Sequence, residues 1–330
     1  MKAVVCKQFG PPEGLVVEET AAPSPGPHDL RIGVHAAGVN FPDVLIVKGE
    51  YQIKPSLPFT PGAEVSGEVL EIGSRVTGFA VGDRVMAMTL TGGYAEELVV
   101  DASRAMKLPP HMDHVTAAGF MMTYGTSYHA LVQRARLAPG ETLLVHGATG
   151  GVGTSAIEIG KRLGARIIAT GGSDEKLARI QQLYAPLDVI NTRKNPAWKE
   201  RVKELTGGRG ADVIYDPVGG EIMEQSLRAI AWDGRLLVIG FASGVIPKLP
   251  ANLVLLKSCS VVGVFWGAFV ARDPELNADN FRQLFAWYEA GELAPYVSRT
   301  YPLEQASEAL LAIVRREIVG KAVITTARHG

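Results

Sequence analysis

The sequence predicts an α/β protein of two domains, a small β-rich one followed by a doubly wound parallel sheet. Three observations predict it. At 330 residues the chain is longer than one core usually organises, and 47% hydrophobic residues suffice to bury two. Short β-rich runs broken by Gly and Pro fill its first part, whereas from Thr142 onward apolar strands alternate with helical segments. A glycine-rich turn, Gly147 to Gly153, sits at the first strand-to-helix junction of that alternation.

Through about residue 120 the runs DLRIGVHAAGV, AEVSGEVLEIG and YAEELVV are separated by PSPGPHD and VTGFAVGDRV, which predicts a largely antiparallel β domain. From Asp113 to about Arg136 the pattern is helical, and Pro139-Gly140-Glu141 ends it, so the boundary is placed near Met122. The strands ETLLVHG, ARIIAT, DVIN, ADVIYD, GRLLVIGF and SCSVVGVFW then follow. Helices over Gly151–Leu163, Ser173–Tyr184, Pro196–Thr206 and Glu221–Ala231 separate the first five. Buried strands alternating with helices imply a parallel sheet with right-handed crossovers. The remaining helix, NADNFRQLFAWYEAGEL, and strand, KAVIT, are too little to fold alone. The expected domains are therefore 1–122 together with 267–330, and 123–266.

A formal net charge of -1, from 33 basic and 34 acidic residues, leaves no electrostatic footprint for nucleic acid or an anionic membrane surface. Cys6 and Cys259 lie too far apart in sequence for a disulfide framework, and two cysteines make no four-thiolate zinc lobe. No signal peptide or membrane-spanning stretch stands out. These readings predict a soluble cytoplasmic protein with a small-molecule partner.

The strand Thr142–His146 runs into Gly147-Ala148-Thr149-Gly150-Gly151-Val152-Gly153, which opens a helix. That is the context a dinucleotide fingerprint requires. Glycines close the turn and let a pyrophosphate approach the backbone, while the helix N-terminus offers N–H groups and a positive dipole end. Gly150, Gly151 and Val152 are the cofactor-binding candidates here, although Ala148 replaces the usual first glycine. The second strand ends Ala169-Thr170-Gly171-Gly172, without the carboxylate that binds a ribose 2′-hydroxyl. Gly172, Ser173 and Lys176 suit a 2′-phosphate instead, which favours NADPH. Ser173 as a plain N-cap and Lys176 as a solvated side chain are the alternatives, and Asp174 with Glu175 keeps NADH open. Gly240-Phe241 closes a strand at the carboxyl edge of the sheet, where such folds bind ligands.

The segments Gly38-Val39-Asn40-Phe41-Pro42-Asp43, Pro61 to Gly67, Val81 to Val85 and Gly92-Gly93-Tyr94-Ala95-Glu96, with the glycine turn, make the chain resemble the medium-chain dehydrogenase/reductases over nearly its whole length. Within them it resembles the zinc-free quinone oxidoreductases related to zeta-crystallin. The resemblance implies a GroES-like substrate domain, a Rossmann domain, and homodimers joined through the edge strand of the nucleotide domain. It implies that Asn40 lies beside the nicotinamide ribose, that Thr126 touches the nicotinamide end, that the backbone of Val264-Phe265-Trp266 holds the carboxamide, and that Arg316, or Arg315, reaches the 2′-phosphate. In related enoyl-thioester reductases a tyrosine beyond an Asn-x-x-Asp segment donates a proton, which makes Tyr51 the catalytic candidate, with a packed loop tyrosine as the alternative. Asp43 reads as a first-turn helix carboxylate rather than a base.

Zinc-dependent members carry a Cys and a His ligand where this chain has Asn40 and Ala63, and the seven histidines show no ligand spacing, so no metal residue is assigned. His111 and His114 read as capping or solvated residues. The expected function is zinc-independent, NADPH-dependent hydride transfer to quinones or other α,β-unsaturated carbonyls. An enoyl-CoA reductase and a non-catalytic NADPH-binding protein are the alternatives.

Overall fold

The computed structural model describes residues 1–329, and side chains through residue 328. The chain forms two units: Met1–Met122 with the segment from Pro295 onward, and Thr123–Ala294.

In the first, β-rich unit, β1 (Lys2–Val5) and β2 (Val16–Glu19) form an antiparallel ribbon. The remaining strands assemble around β3 (Asp29–Val39), whose Leu30, Ile32 and Val34 alternate into the core with essentially no exposure. After β3 the chain turns into α1 (Phe41–Lys48) and ends it at Gly49, which takes the left-handed φ of 71°. It continues through β4 (Glu64–Ile72), β5 (Arg84–Met88), β6 (Glu97–Asp101), β7 (Ala105–Lys107) and the short α2 (His114–Ala118). The register between β3 and β4 shifts between Val34 and Ala36, so His35 sits at a bulge.

The second unit begins along α3 (Met121–Tyr128), continued by a π-helical turn over His129–Arg134. Strands and helices then alternate: β8 (Thr142–Val145), α4 (Gly151–Arg162), β9 (Arg166–Gly171), α5 (Asp174–Tyr184), β10 (Asp188–Asn191), α6 (Trp198–Leu205), β11 (Ala211–Asp216), α7 (Gly220–Ser226), β12 (Ile230–Val238), α8 (Ala251–Lys257) and β13 (Ser260–Gly263). All sheet pairings are parallel, in the order β10-β9-β8-β11-β12-β13. Leu144, Ile168, Ile214 and Leu236 are register partners across four adjacent strands, each fully buried. The order reverses between β8 and β11, so their carboxyl ends define a topological switch point, where ligands of open α/β sheets bind.

Three expectations need correction. The helical stretch over 113–136 is broken into α2, α3 and the π-helical turn. The helix expected to reach Ala231 stops at Ser226, because Ile230 is already a strand residue paired with Ala211 and Asp233 takes a φ of 60° in the irregular stretch that follows. Residues 267–294 belong to the parallel-sheet unit, not to the first. There α9 (Trp266–Arg272) and α10 (Pro274–Glu289) bury Phe281 and Leu284, Trp266 Nε1 donates to Asn277 at 3.1 Å, and Gln133 donates to Asn280 at 2.8 Å. An amphipathic helix goes where its apolar stripe is covered, which periodicity alone does not specify. Beyond Pro295, β14 (Val297–Pro302), α11 (Ala306–Val314) and β15 (Lys321–Thr325) complete the first unit, β15 pairing antiparallel with β3. Its large sheet runs β14-β15-β3-β4-β5-β7, with β6 also on β3. Among the described residues, no helix is long and apolar enough to cross a membrane.

Candidate functional site

In the parallel-sheet unit β8 leads into Gly147, whose φ of 56° only glycine adopts without strain. Ala148 N–H donates to Thr170 O at 3.0 Å, tying the turn to β9, and Gly150 N–H donates to Gly147 O at 3.0 Å. A Cβ on Gly153 would stand 2.4 Å from Gly147 O and 2.7 Å from Ala148 Cα, so the turn and α4 meet backbone to backbone. Gly153 was not among the candidates, yet it is the glycine that sets this packing. The first helical bond runs from Thr154 N–H to Gly150 O, so the N–H groups of Gly151, Val152 and Gly153 precede the helical ladder, where an anion is held by backbone donors and the dipole. Beneath the turn, burial pushes His146 down to about 3; the neutral ring bridges Thr170 Oγ1 at 2.7 Å and Ser226 Oγ at 2.9 Å.

At the end of β9, Ser173 caps α5, its Oγ accepting from Lys176 N–H at 3.4 Å. Arg193, from the loop after β10, lies against Gly172: a Cβ there would be 2.8 Å from Arg193 Nε. The sequence reading missed Arg193, because a basic residue in a loop carries no local signal. Asp174 is occupied by Lys194 and by Asn191 Nδ2 at 2.5 Å, and these bonds hold its carboxyl below the ordinary range. Of the two acids that keep NADH open, Asp174 is thus already paired with a cation.

Farther along the same edge, buried Asp216 accepts from Val218 N–H at 2.7 Å and Gly219 N–H at 2.9 Å, and burial pushes its carboxyl up to about 6. It fixes the loop on which Phe241 rests; a Cβ on Gly219 would meet the Phe241 ring at 2.9 Å. Gly240 and Phe241 follow β12, and Val264 N–H donates to Val238 O at 3.1 Å just beyond β13. Phe265 is 68% exposed. Trp266 instead turns inward, its indole filling the space that a Cβ on Gly125 would enter at 2.5 Å. Thr126 is partly exposed on α3, next to Ser127, whose Oγ donates to Val152 O at 3.1 Å.

The β-rich unit carries Asn40, Tyr51 and Arg316. Asn40 caps α1, and its Nδ2 donates to Glu64 Oε2 at 3.0 Å while its Oδ1 accepts from Lys321 Nζ at 2.7 Å. Lys321 also donates to Glu64 Oε2 and Val39 O, each at 3.2 Å, and Glu64 Oε1 accepts from Met122 N–H at 2.8 Å. Asp43 is the first-turn carboxylate expected of it, and its Oδ2 also accepts from Asn40 N–H at 2.8 Å, closing the cap, and from Tyr94 OH at 3.0 Å. Tyr51 is half-buried, and burial, then the Asp43 charge, raises its phenol. Arg316 takes a φ of 57°, whereas Arg315 pairs with Glu308 at 3.2 Å. The histidine reading needs correction too: His35 and His114 stack with centroids 4.3 Å apart, and Glu68 joins them.

Burial pushes Asp43 up to about 6, although Asn40 N–H, Tyr94 and Lys321 oppose the shift. A raised carboxyl contributes stability that is complete below its unfolded value and is lost as pH rises through the folded one. Relative to an Asp43→Asn variant, the native protein should therefore lose about 2.5 kcal/mol between pH 4 and pH 8. Urea denaturation of both proteins across that range checks this; a constant difference would contradict it.

Residues 26–110 match the alcohol dehydrogenase GroES-like domain and residues 151–289 the zinc-binding dehydrogenase family. Over 98% of this chain and 89% of its relative, the sequence is 41% identical to a quinone oxidoreductase-like protein 2 homolog of Nematostella vectensis. It is 34% identical to human quinone oxidoreductase over 94% of this chain and 92% of that protein. The crystal structure of Escherichia coli quinone oxidoreductase in complex with NADPH superimposes with a TM-score of 0.91 at 29% identity, covering 98% of this chain and 100% of that one.

Proposed function

Since the chain belongs to the medium-chain dehydrogenase/reductase superfamily, as a quinone oxidoreductase-like member with a GroES-like and a Rossmann-like unit, we propose that it is an NADPH-dependent, zinc-independent reductase of quinones or other α,β-unsaturated carbonyls. The observation that carries the cofactor choice is the end of β9, where Arg193 lies against Gly172 and Asp174 is already paired with Lys194. A 2′-phosphate suits that rim; a ribose hydroxyl finds no unoccupied carboxylate in Asp174.

Bound NADPH supplies a hydride. The chain's own part is to hold and polarise. The N–H groups at the start of α4 receive the pyrophosphate, and Arg193 with Lys176 neutralises the 2′-phosphate. Asn40, fixed by Glu64 and Lys321, positions the ribose on the nicotinamide side. Tyr51, whose raised phenol stays protonated at neutral pH, donates to the carbonyl oxygen of the substrate as charge develops there. A catalytic zinc does not suit the Asn40 position: Asn40 and Ala63 replace the thiolate and imidazole, and the Lys321 ammonium stands 2.7 Å from Asn40 Oδ1. The homodimer is proposed to form along β13, an edge strand of the parallel sheet, which follows α8, where Leu255 is 79% exposed.

Oxidation of NADPH with 1,4-benzoquinone, 9,10-phenanthrenequinone, 2-cyclohexenone and crotonyl-CoA tests the substrate class. Turnover of a quinone or enone supports the proposal; turnover of crotonyl-CoA alone redirects it to acyl thioesters, and none leaves a binding protein. Tyr51→Phe should lower kcat by roughly 10²-fold with the KM for NADPH unchanged. An undiminished kcat would return Tyr51 to a packing role.

A further inference from the structure

Away from the residues assigned above, His35, Glu68 and His114 bring one ligand atom each to within 4.8 Å of one another. They come from three elements of the β-rich unit: the bulge of β3, strand β4 and the first residue of α2. All three are partly exposed, so an ion from solvent can reach them. We propose that this cluster is a site for a divalent first-row transition ion of the zinc class, bound by two imidazoles and one carboxylate.

The surroundings of the cluster support ligation. Ser66 Oγ, 3.0 Å from Val85 O, also makes a 2.8 Å hydrogen bond with His114 Nδ1. That contact holds the His114 ring in place, as outer-shell partners do for metal-bound histidines. The bulge re-aims His35 onto the His114 ring, and the two stack with planes 24° apart. Glu68 offers the anionic ligand, and its register partner Arg84 is occupied by the carbonyls of Pro110 and Met112. Imidazole with carboxylate suits zinc, cobalt or nickel rather than calcium or magnesium. Three protein ligands leave the fourth position to water, and the ion would clamp α2 to the β3–β4 pair.

Cobalt(II) added to the chelator-treated full-length protein tests this by visible absorption and by thermal denaturation. The expected result is one equivalent bound, without a thiolate charge-transfer band, and a rise in Tm. Binding should weaken more than tenfold in Glu68→Gln, a partly exposed position that should leave the fold intact, and be lost in His114→Gln. Absence of binding, unchanged binding in both variants, or a thiolate band placing the ion on Cys6 or Cys259 would overturn the proposal.

Discussion

A Gly153→Val variant should bind NADPH at least 10²-fold more weakly than the native protein and melt at a lower temperature. The added Cβ meets Gly147 O at 2.4 Å and Ala148 Cα at 2.7 Å. Both are backbone atoms of the turn itself, so the strain can be relieved only by moving the turn away from the start of α4. Overpacking of this kind costs about 1–3 kcal/mol, and a displacement of about 1 Å at a binding element can cost 10²-fold. Gly150→Ala is the comparison, because a Cβ there meets only Gly147 O at an ordinary 3.5 Å. Its Tm should match that of the native protein. Fluorescence titration with NADPH and a thermal melt check both variants; equal Tm values for the two substitutions would contradict the packing argument.

The second large effect is expected at Lys321. Its ammonium faces Glu64, Asn40 and the Val39 carbonyl, and Glu64 is fully buried. Lys321→Met removes the cation and leaves the carboxylate buried without its charge partner, which costs about 3–5 kcal/mol when one member of a buried pair is deleted. The double variant Glu64→Gln/Lys321→Met deletes the charge at both ends and should recover at least half of that loss. Urea denaturation of the native, single and double proteins measures the coupling. A loss below about 1 kcal/mol in the single variant would show that water or a moved side chain compensates Glu64. If Asn40 holds the cofactor as proposed, the Lys321→Met protein has a raised KM for NADPH as well, since Asn40 loses the donor to its Oδ1.

What the sequence made legible was what short-range pattern encodes. Apolar runs alternating with helices marked the parallel sheet, and Leu144, Ile168, Ile214 and Leu236 are the buried register row that those runs supply. The glycine turn was visible because its spacing falls between a strand and a helix. Pairings made across the chain were not legible. Lys321 and Glu64 are 257 positions apart, and a lysine opening the run KAVIT reads as a solvated strand end. The same holds for Arg193 beside Gly172 and for His35 beneath His114, since no periodicity predicts which loop or bulge meets which strand. The helix over 274–289 shows its apolar stripe plainly but not its destination, and it covers the parallel-sheet unit.

The measurement that tests the central claim most directly is kcat/KM for NADPH against NADH, with one quinone held at saturation and excess chelator present throughout. The residues at the end of β9 predict a preference for NADPH of at least tenfold, or about 1.4 kcal/mol, undiminished by the chelator. Equal use of NADH, or activity that disappears with the chelator, would contradict the account.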